Sequence, residues 1–147
     1  MPIARRSSTT IWEGSLAAGS GKITADSGAL DGLDVTWAAR TGEHGGKTSP
    51  EELAAAAHSS CFAMALALRL GERNARPDRL QVEATVTLDE QAGVPTIVSS
   101  QLFIRAKVSR LSGEAFQQAV DEAAALCPIS RLFAGARVSV EALLEPN

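Results

Sequence analysis

The residues able to do chemistry gather in two stretches: TSPEELAAAAHSSCFAMALALRLGE, residues 48–72, and LCPIS, residues 126–130. The first carries adjacent carboxylates, Glu51 and Glu52, then His58, Ser59, Ser60 and Cys61; the second carries Cys127. Cys61 and Cys127 are the only cysteines of the chain. In a reducing compartment such a pair is either two inert core residues or a redox or metal site. Taken singly, each fits packing. Cys61 lies among Ala, Phe and Met, where burial raises a thiol pKa, and it is too far into its helix to use the N-terminal dipole. Cys127 ends the apolar face Phe116, Val120, Ala123 of a second helix. Taken together, both point to the inner faces of two helices that touch in a small domain, within disulfide reach. A thiol peroxidase needs such a pair: one thiolate attacks O–O and becomes a sulfenic acid, and a second thiol condenses with it before it oxidises further. Cys61 then needs a nearby cation, for which Arg40 and Arg131 are the candidates.

Zinc is the competing chemistry. His58 and Cys61 stand at i and i+3, and Cys127 and His44 could complete a Cys2His2 set. Zinc sites usually show paired short spacings, and only one short pair exists here. His58 alone fits a satisfied core or interface histidine. Ser59 and Ser60 form no Ser–His–acid set, and neither G-x-S-x-G nor a Gly-rich phosphate loop occurs. At the helix start, Ser49 suits the N-cap and Pro50 the first position. Glu52 then falls where it can close a capping box with Ser49. Glu51 is left with only a weak dipole interaction, about 0.3–1 kcal/mol. It is either a solvated first-turn acid or a site residue.

The elements that must position these groups follow from patterning. Short β-like segments span 9–13, 22–26 and 33–39, joined by Gly-rich links, and RTGEHGGKT reads as a loop into the helix. After the polar linker ERNARPDR, Leu80, Val82, Ala84, Val86 and Leu88 alternate with polar residues, as in a half-buried strand. EQAGVP turns the chain into a strand with Val98, Leu102, Ile104, Ala106 and Val108 on one face. A helix from residue 111 ends near Pro128, and a strand spans about 137–144. The order βββ-α-ββ-α-β is an α+β layout, with sheets around two helices, the first apolar all round and hence central. A length of 147 residues predicts one domain, 1–147. Aromatics make up only 4% of the chain, so large core anchors are few and burial against a second subunit is expected. With a net charge of −3 and no basic run, nucleic acid is an unsuited partner. The opening MPIARRSSTTIWEG has no apolar core of a secretory signal. The apolar run 53–70 is broken by His58, Ser59, Ser60 and Arg69, which argues against a membrane span of about 20 residues. The expected location is the cytoplasm.

TSPEELAAAAHSSCFAMALAL followed by LCPIS closely resembles the OsmC/Ohr family of thiol-dependent peroxidases. The resemblance extends over nearly the whole chain, through WEG, DSGAL and VTWAARTG, and the details WAARTG and AAHSSCF are nearer the OsmC branch. It implies an intertwined homodimer with two sites at the subunit interface. It also implies reduction of organic hydroperoxides, and of hydrogen peroxide less well. By the same resemblance Cys61 is the peroxidatic and Cys127 the resolving residue, joined by a disulfide during turnover, and Glu51 is the active-site carboxylate. No metal or organic cofactor is implied, only an external dithiol reductant such as a lipoylated protein. The family's arginine matches Arg40 best, with Arg131 as the alternative. The Ohr-branch arginine position, in LAAGSGK, has no Arg here. A second class of function, a non-catalytic stress protein binding small molecules or lipid, would need neither cysteine nor Glu51.

Ten residues separate Glu51 from Cys61, about 15 Å of helix. Glu51 therefore acts through a bridging arginine, which can hold a carboxylate on one edge and keep N–H donors for a thiolate, or it approaches the cysteine of another subunit.

Overall fold

The alternation in residues 77–91 is expressed directly in the computed structural model, which describes residues 1–146. By its contacts the chain forms two compact units, Met1–Leu53 and Ala54–Asn147.

The first unit holds an antiparallel sheet of β1 (Ser8–Glu13), β2 (Ser20–Ala25) and β3 (Leu33–Val35), with β2 in the middle. Gly21 of β2 lies where strands converge: a Cβ there would stand 2.7 Å from Val35 Cγ2 and 3.0 Å from Thr10 Cγ2. The expected third strand, 33–39, is shorter than its pattern suggested. It stops at Val35, and helix α1 takes over at Trp37–Thr41. The cause is Thr36, whose hydroxyl accepts the Ala39 N–H at 3.0 Å and so caps a run with two good helix formers, Ala38 and Ala39. Thr48 then ties the entry of the long helix to the sheet, its N–H donating to Asp34 O at 2.8 Å.

Helix α2 (Pro50–Glu72) begins in this unit and continues into the second. Ser49 Oγ accepts the Glu52 N–H at 3.1 Å, as the capping pattern predicts. The Glu52 carboxylate differs from that pattern: it accepts the Thr48 hydroxyl at 2.6 Å rather than reaching back to the Ser49 N–H.

In the second unit β4 (Pro77–Gln91) and β5 (Val94–Val108) form a long antiparallel hairpin. Ala92 and Gly93 make its two-residue turn, both with positive φ (51° and 82°), the signature of a turn that matches strand twist. The last three residues of ERNARPDR, read as linker, are already strand, because β4 starts at Pro77. On β4 the residues Leu80 to Leu88 are half-buried at every second position and exposed between. Helix α3 (Gly113–Leu126), capped by Ser112, and the one-turn helix α4 (Pro128–Leu132) cross over to β6 (Arg137–Leu144), which pairs parallel with β5. Two short helices thus join the expected order, giving βββ-αα-ββ-αα-β. The α+β class stands.

Phe62, Leu66 and Leu70 of α2 pack with Leu102, Ile104, Ala106 and Val108 of β5 and with Phe116, Ala119, Val120 and Ala123 of α3. Along α2, burial follows one stripe at i, i+4 spacing. Its outer apolar residues Met64 and Leu68 are 75% and 59% exposed. The expectation of a helix enclosed on all sides is therefore not met within one chain. By length and composition α2 would also suffice to cross a membrane, but its inner stripe is committed to this core.

Leu66→Ala removes a side chain with no exposed surface. It should lower stability by about 2–5 kcal/mol, read from the shift in the urea unfolding midpoint.

Candidate active site

Two groups of chemically competent side chains are assembled, one in each unit. In the first, α1 turns Arg40 toward the start of α2. Arg40 Nη2 donates to Glu51 Oε1 at 2.7 Å, and Nε donates to Oε1 and Oε2 at 3.0 and 3.1 Å. Glu51 is nearly buried and Arg40 about one-third exposed. The guanidinium also lies 5.9 Å from the centre of the Trp37 ring. It borders an apolar cavity of about 350 Å³ lined by Trp12, Leu16, Val35, Trp37 and Leu53. Among the described residues these bonds engage Nε and Nη2 and leave the Nη1 donors uncommitted. The sequence expectation that an arginine is held by Glu51 is met by Arg40, and it depends on α1 being a helix. Arg131 is an exposed residue of α4 in the other unit.

The second group is the thiol pair. Cys127 is fully buried and ends α3 while serving as N-cap of α4, with its sulfur accepting the Ser130 N–H at 3.5 Å. Pro128, at the first position of α4, forbids a continuous helix and fixes this junction. Cys61, half-buried, packs against the core that contains Cys127, and each thiol influences the ionisation of the other. Both are free thiols. Cys61 lines a second, largely apolar groove, about 240 Å³, with Met64, Ala65, Leu68, Arg69, Leu126 and Pro128, where the Arg69 guanidinium is paired with Glu72 at 2.7 Å. Burial pushes the Cys61 thiol above its ordinary value, as the sequence predicts, with partial relief from the Ile129 N–H. At Cys127 burial acts the same way but is outweighed. The Ser130 hydroxyl and N–H, the Cys61 thiol and the Ile129 N–H together hold its pKa below the ordinary value.

His58 is fully buried, as a satisfied core histidine should be. Nδ1 lies 2.6 Å from Ser100 Oγ and Nε2 lies 2.8 Å from Ser130 Oγ, and the ring stacks on Phe133 at 5.0 Å. With both nitrogens engaged, it has no lone pair directed at a metal. Among the described residues no three His, Cys, Asp or Glu side chains converge as a metal site. The zinc reading, with His44, His58, Cys61 and Cys127 as ligands, thus lacks its donor cluster. The Ser59 and Ser60 hydroxyls donate to the helix carbonyl of Ala56. Sequence reasoning missed Ser100 and Ser130. The only hint was a hydroxyl three residues after Cys127, at a capping distance.

Residues 42–142 match the family model described as OsmC-like protein. The chain belongs to the OsmC family. Peroxiredoxin OsmC of Escherichia coli (strain K12) is 35% identical over 122 residues, 82% of this chain and 84% of that protein. The crystal structure of the organic hydroperoxide resistance protein OhrB of Bacillus subtilis superposes with a TM-score of 0.71 and 28% identity, over 98% of this chain and 100% of that one. An OsmC-like protein of unknown function from Vibrio cholerae shares the fold, with a TM-score of 0.79 over 96% of this chain and 100% of that one, at 15% identity. The OsmC relation supports a peroxidase-type redox function.

Burial holds the His58 pKa below its ordinary value of 6.5. Its neutral form is therefore favoured by folding. The stability this gives is complete above about pH 6.5 and is lost as pH falls from there through the folded-state value, at no more than about 1.4 kcal/mol per pH unit. Urea midpoints measured from pH 8 to 5 should fall below pH 6.5, and the fall attributable to this residue should vanish in His58→Gln.

Proposed function

We propose that this OsmC-family chain is a cysteine-based peroxidase that reduces organic hydroperoxides to alcohols, and hydrogen peroxide less well. The observation that carries the reading is Cys61 lining a largely apolar groove and packed against the core in which Cys127 is buried. An alkyl chain has an apolar surface to lie on, and the second thiol is already in place to resolve what the first becomes. The Cys61 thiolate attacks the outer oxygen of the hydroperoxide. The O–O bond breaks, the alkoxide leaves and takes a proton to become the alcohol, and Cys61 becomes a sulfenic acid. Cys127 attacks that sulfur, an S–S bond forms and the oxygen leaves as water. An external dithiol, a lipoylated protein in this reading, reduces the disulfide by exchange.

Within one chain nothing lowers the Cys61 pKa overall, since burial dominates. We assign that task to Arg40, held in orientation by Glu51, with its Nη1 donors serving the thiolate and a peroxide oxygen. The working unit in this proposal is a homodimer in which a second copy covers the exposed outer face of α2, including Met64 and Leu68. Its location is the cytoplasm, which keeps both thiols reduced.

Cumene hydroperoxide should be consumed with dihydrolipoamide as reductant by the wild type and not by Cys61→Ser. Cys127→Ser should complete one round of reduction but not turn over. Mass spectrometry after one equivalent of peroxide should then show oxidised Cys61 and no intramolecular disulfide. Steady turnover of Cys127→Ser at the wild-type rate would reject the two-thiol scheme. Arg40→Ala should move the Cys61 titration upward, followed by alkylation rate against pH, and slow peroxide reduction at least about tenfold. An unchanged titration would remove Arg40 from the mechanism and leave Arg131 as the cation to test.

A further inference from the structure

Three polar side chains that the peroxidase scheme does not use, Ser100, His58 and Ser130, form a chain that leads to Cys127; Ser100 and His58 are fully buried and Ser130 half-buried. Ser100 has no exposed surface, and among the described residues its hydroxyl has one side-chain partner, His58 Nδ1 at 2.6 Å. His58 Nε2 reaches Ser130 Oγ at 2.8 Å, Ser130 donates its N–H to the Cys127 sulfur at 3.5 Å, and the Ser130 hydroxyl is among the groups that lower the pKa of that thiol.

A serine hydroxyl has one proton to give, and a neutral imidazole has one N–H and one lone pair. If His58 carried its proton on Nδ1, Ser100 would have to accept it, and its own buried proton would have no acceptor. An unsatisfied buried donor is costly, so the Ser100 proton goes to Nδ1. The imidazole proton is then on Nε2 and is donated to Ser130 Oγ. Ser130 then accepts from His58 and keeps its own proton to give, and the Cys127 sulfur, which already takes the Ser130 N–H, is the neighbour whose ionisation that hydroxyl favours. Donation therefore runs one way along the chain, from Ser100 through His58 and Ser130 to the sulfur.

We infer that His58 and Ser130 are positioning residues for the resolving step, fixing a hydroxyl donor on Cys127 so that this fully buried sulfur can react as a thiolate. The inference rests on the peroxidase reading above. In that step Cys127–S⁻ attacks the sulfur of Cys61–SOH, an S–S bond forms and the S–O bond breaks, and hydroxide leaves and is protonated to water. The Cys61 sulfur is reduced as Cys127 is oxidised, and the hydroperoxide was the oxidant. A hydroxyl donor stabilises the charge that Cys127 carries before attack, opposing the penalty of burial. The titratable groups facing Cys127 are Cys61 and, one hydroxyl away, His58, both on α2. From α4 come the Ser130 hydroxyl and the Ser130 and Ile129 N–H groups, and β5 contributes Ser100 beyond His58. The lowered Cys127 pKa agrees with this arrangement.

Two measurements test it. In a Cys61→Ser background Cys127 is the sole thiol, and its thiolate absorbance at about 240 nm can be followed against pH. Ser130→Ala should raise this titration by about one pH unit, Ser130→Thr should restore it, and His58→Gln, which keeps an N–H donor, should lie between. In the two-cysteine protein, rapid mixing with cumene hydroperoxide should show sulfenic acid forming at the wild-type rate in Ser130→Ala. Disulfide formation should be about tenfold slower and should recover with Ser130→Thr. An unmoved Cys127 titration in Ser130→Ala, or disulfide formation at the wild-type rate, overturns the inference. A wild-type protein that forms no Cys61–Cys127 disulfide at all overturns the peroxidase reading instead, and the role in resolution falls with it, whatever the titration shows.

Discussion

An apolar core penalises a thiolate more than a thiol, and both cysteines sit against such a core. The sequence surrounds Cys61 with Ala, Phe and Met, and the fold adds α3. Burial excludes water from a sulfenic acid and holds the partner thiol close, but it works against the ionisation that makes either sulfur a nucleophile. The polar groups of the second unit answer that conflict on one side only. Cys127 has donors from the first turn of α4, whereas at Cys61 the single Ile129 N–H does not balance burial. The thiol buried deeper is thus the better prepared to ionise in the isolated chain, and the more exposed one is held protonated by its surroundings.

The first unit holds a preformed ion pair, Arg40 with Glu51. The Nε and Nη2 donors of the guanidinium are spent on the Glu51 carboxylate, and among the described residues the Nη1 donors are open. The ring of Trp37, on the same short helix, lies 5.9 Å from the guanidinium, within cation–π range. Losing either partner would leave the other charge partly desolvated, which costs more than the pair itself returns. The pair is therefore better understood as a constraint on orientation than as a source of stability.

Much of this was legible in residue pattern. The alternation at Leu80–Leu88, the cap at Ser49, the apolar face ending at Cys127 and the special standing of Glu51 all survive in three dimensions. Sequence resemblance, rather than periodicity, singled out Arg40 over Arg131. Two things were hidden for physical reasons. Thr36 caps a helix inside VTWAART, and a strand pattern of a few residues carries no information about a side chain that bonds three residues ahead. Ser100 and Ser130 lie 42 and 72 residues from His58, and a hydrogen bond between such positions leaves no trace in local composition. His58 itself was read correctly as a satisfied core residue, but what satisfies it is a tertiary fact.

The parallel pairing of β5 with β6 has a consequence for how the molecule comes to exist. An antiparallel neighbour can follow through a tight turn, as β5 follows β4, but a parallel one must be reached by a crossover, and here the crossover is α3 and α4. Helix α2, with Cys61, can form from local contacts as soon as it is synthesised. The closure around Cys127 is non-local and is sealed by the final strand, so its loop-closure entropy is met before any pairing energy is returned. The two sulfurs thus differ in what holds them: Cys61 sits on a helix of local contacts, Cys127 at a junction inside a crossover that only a non-local strand pairing closes.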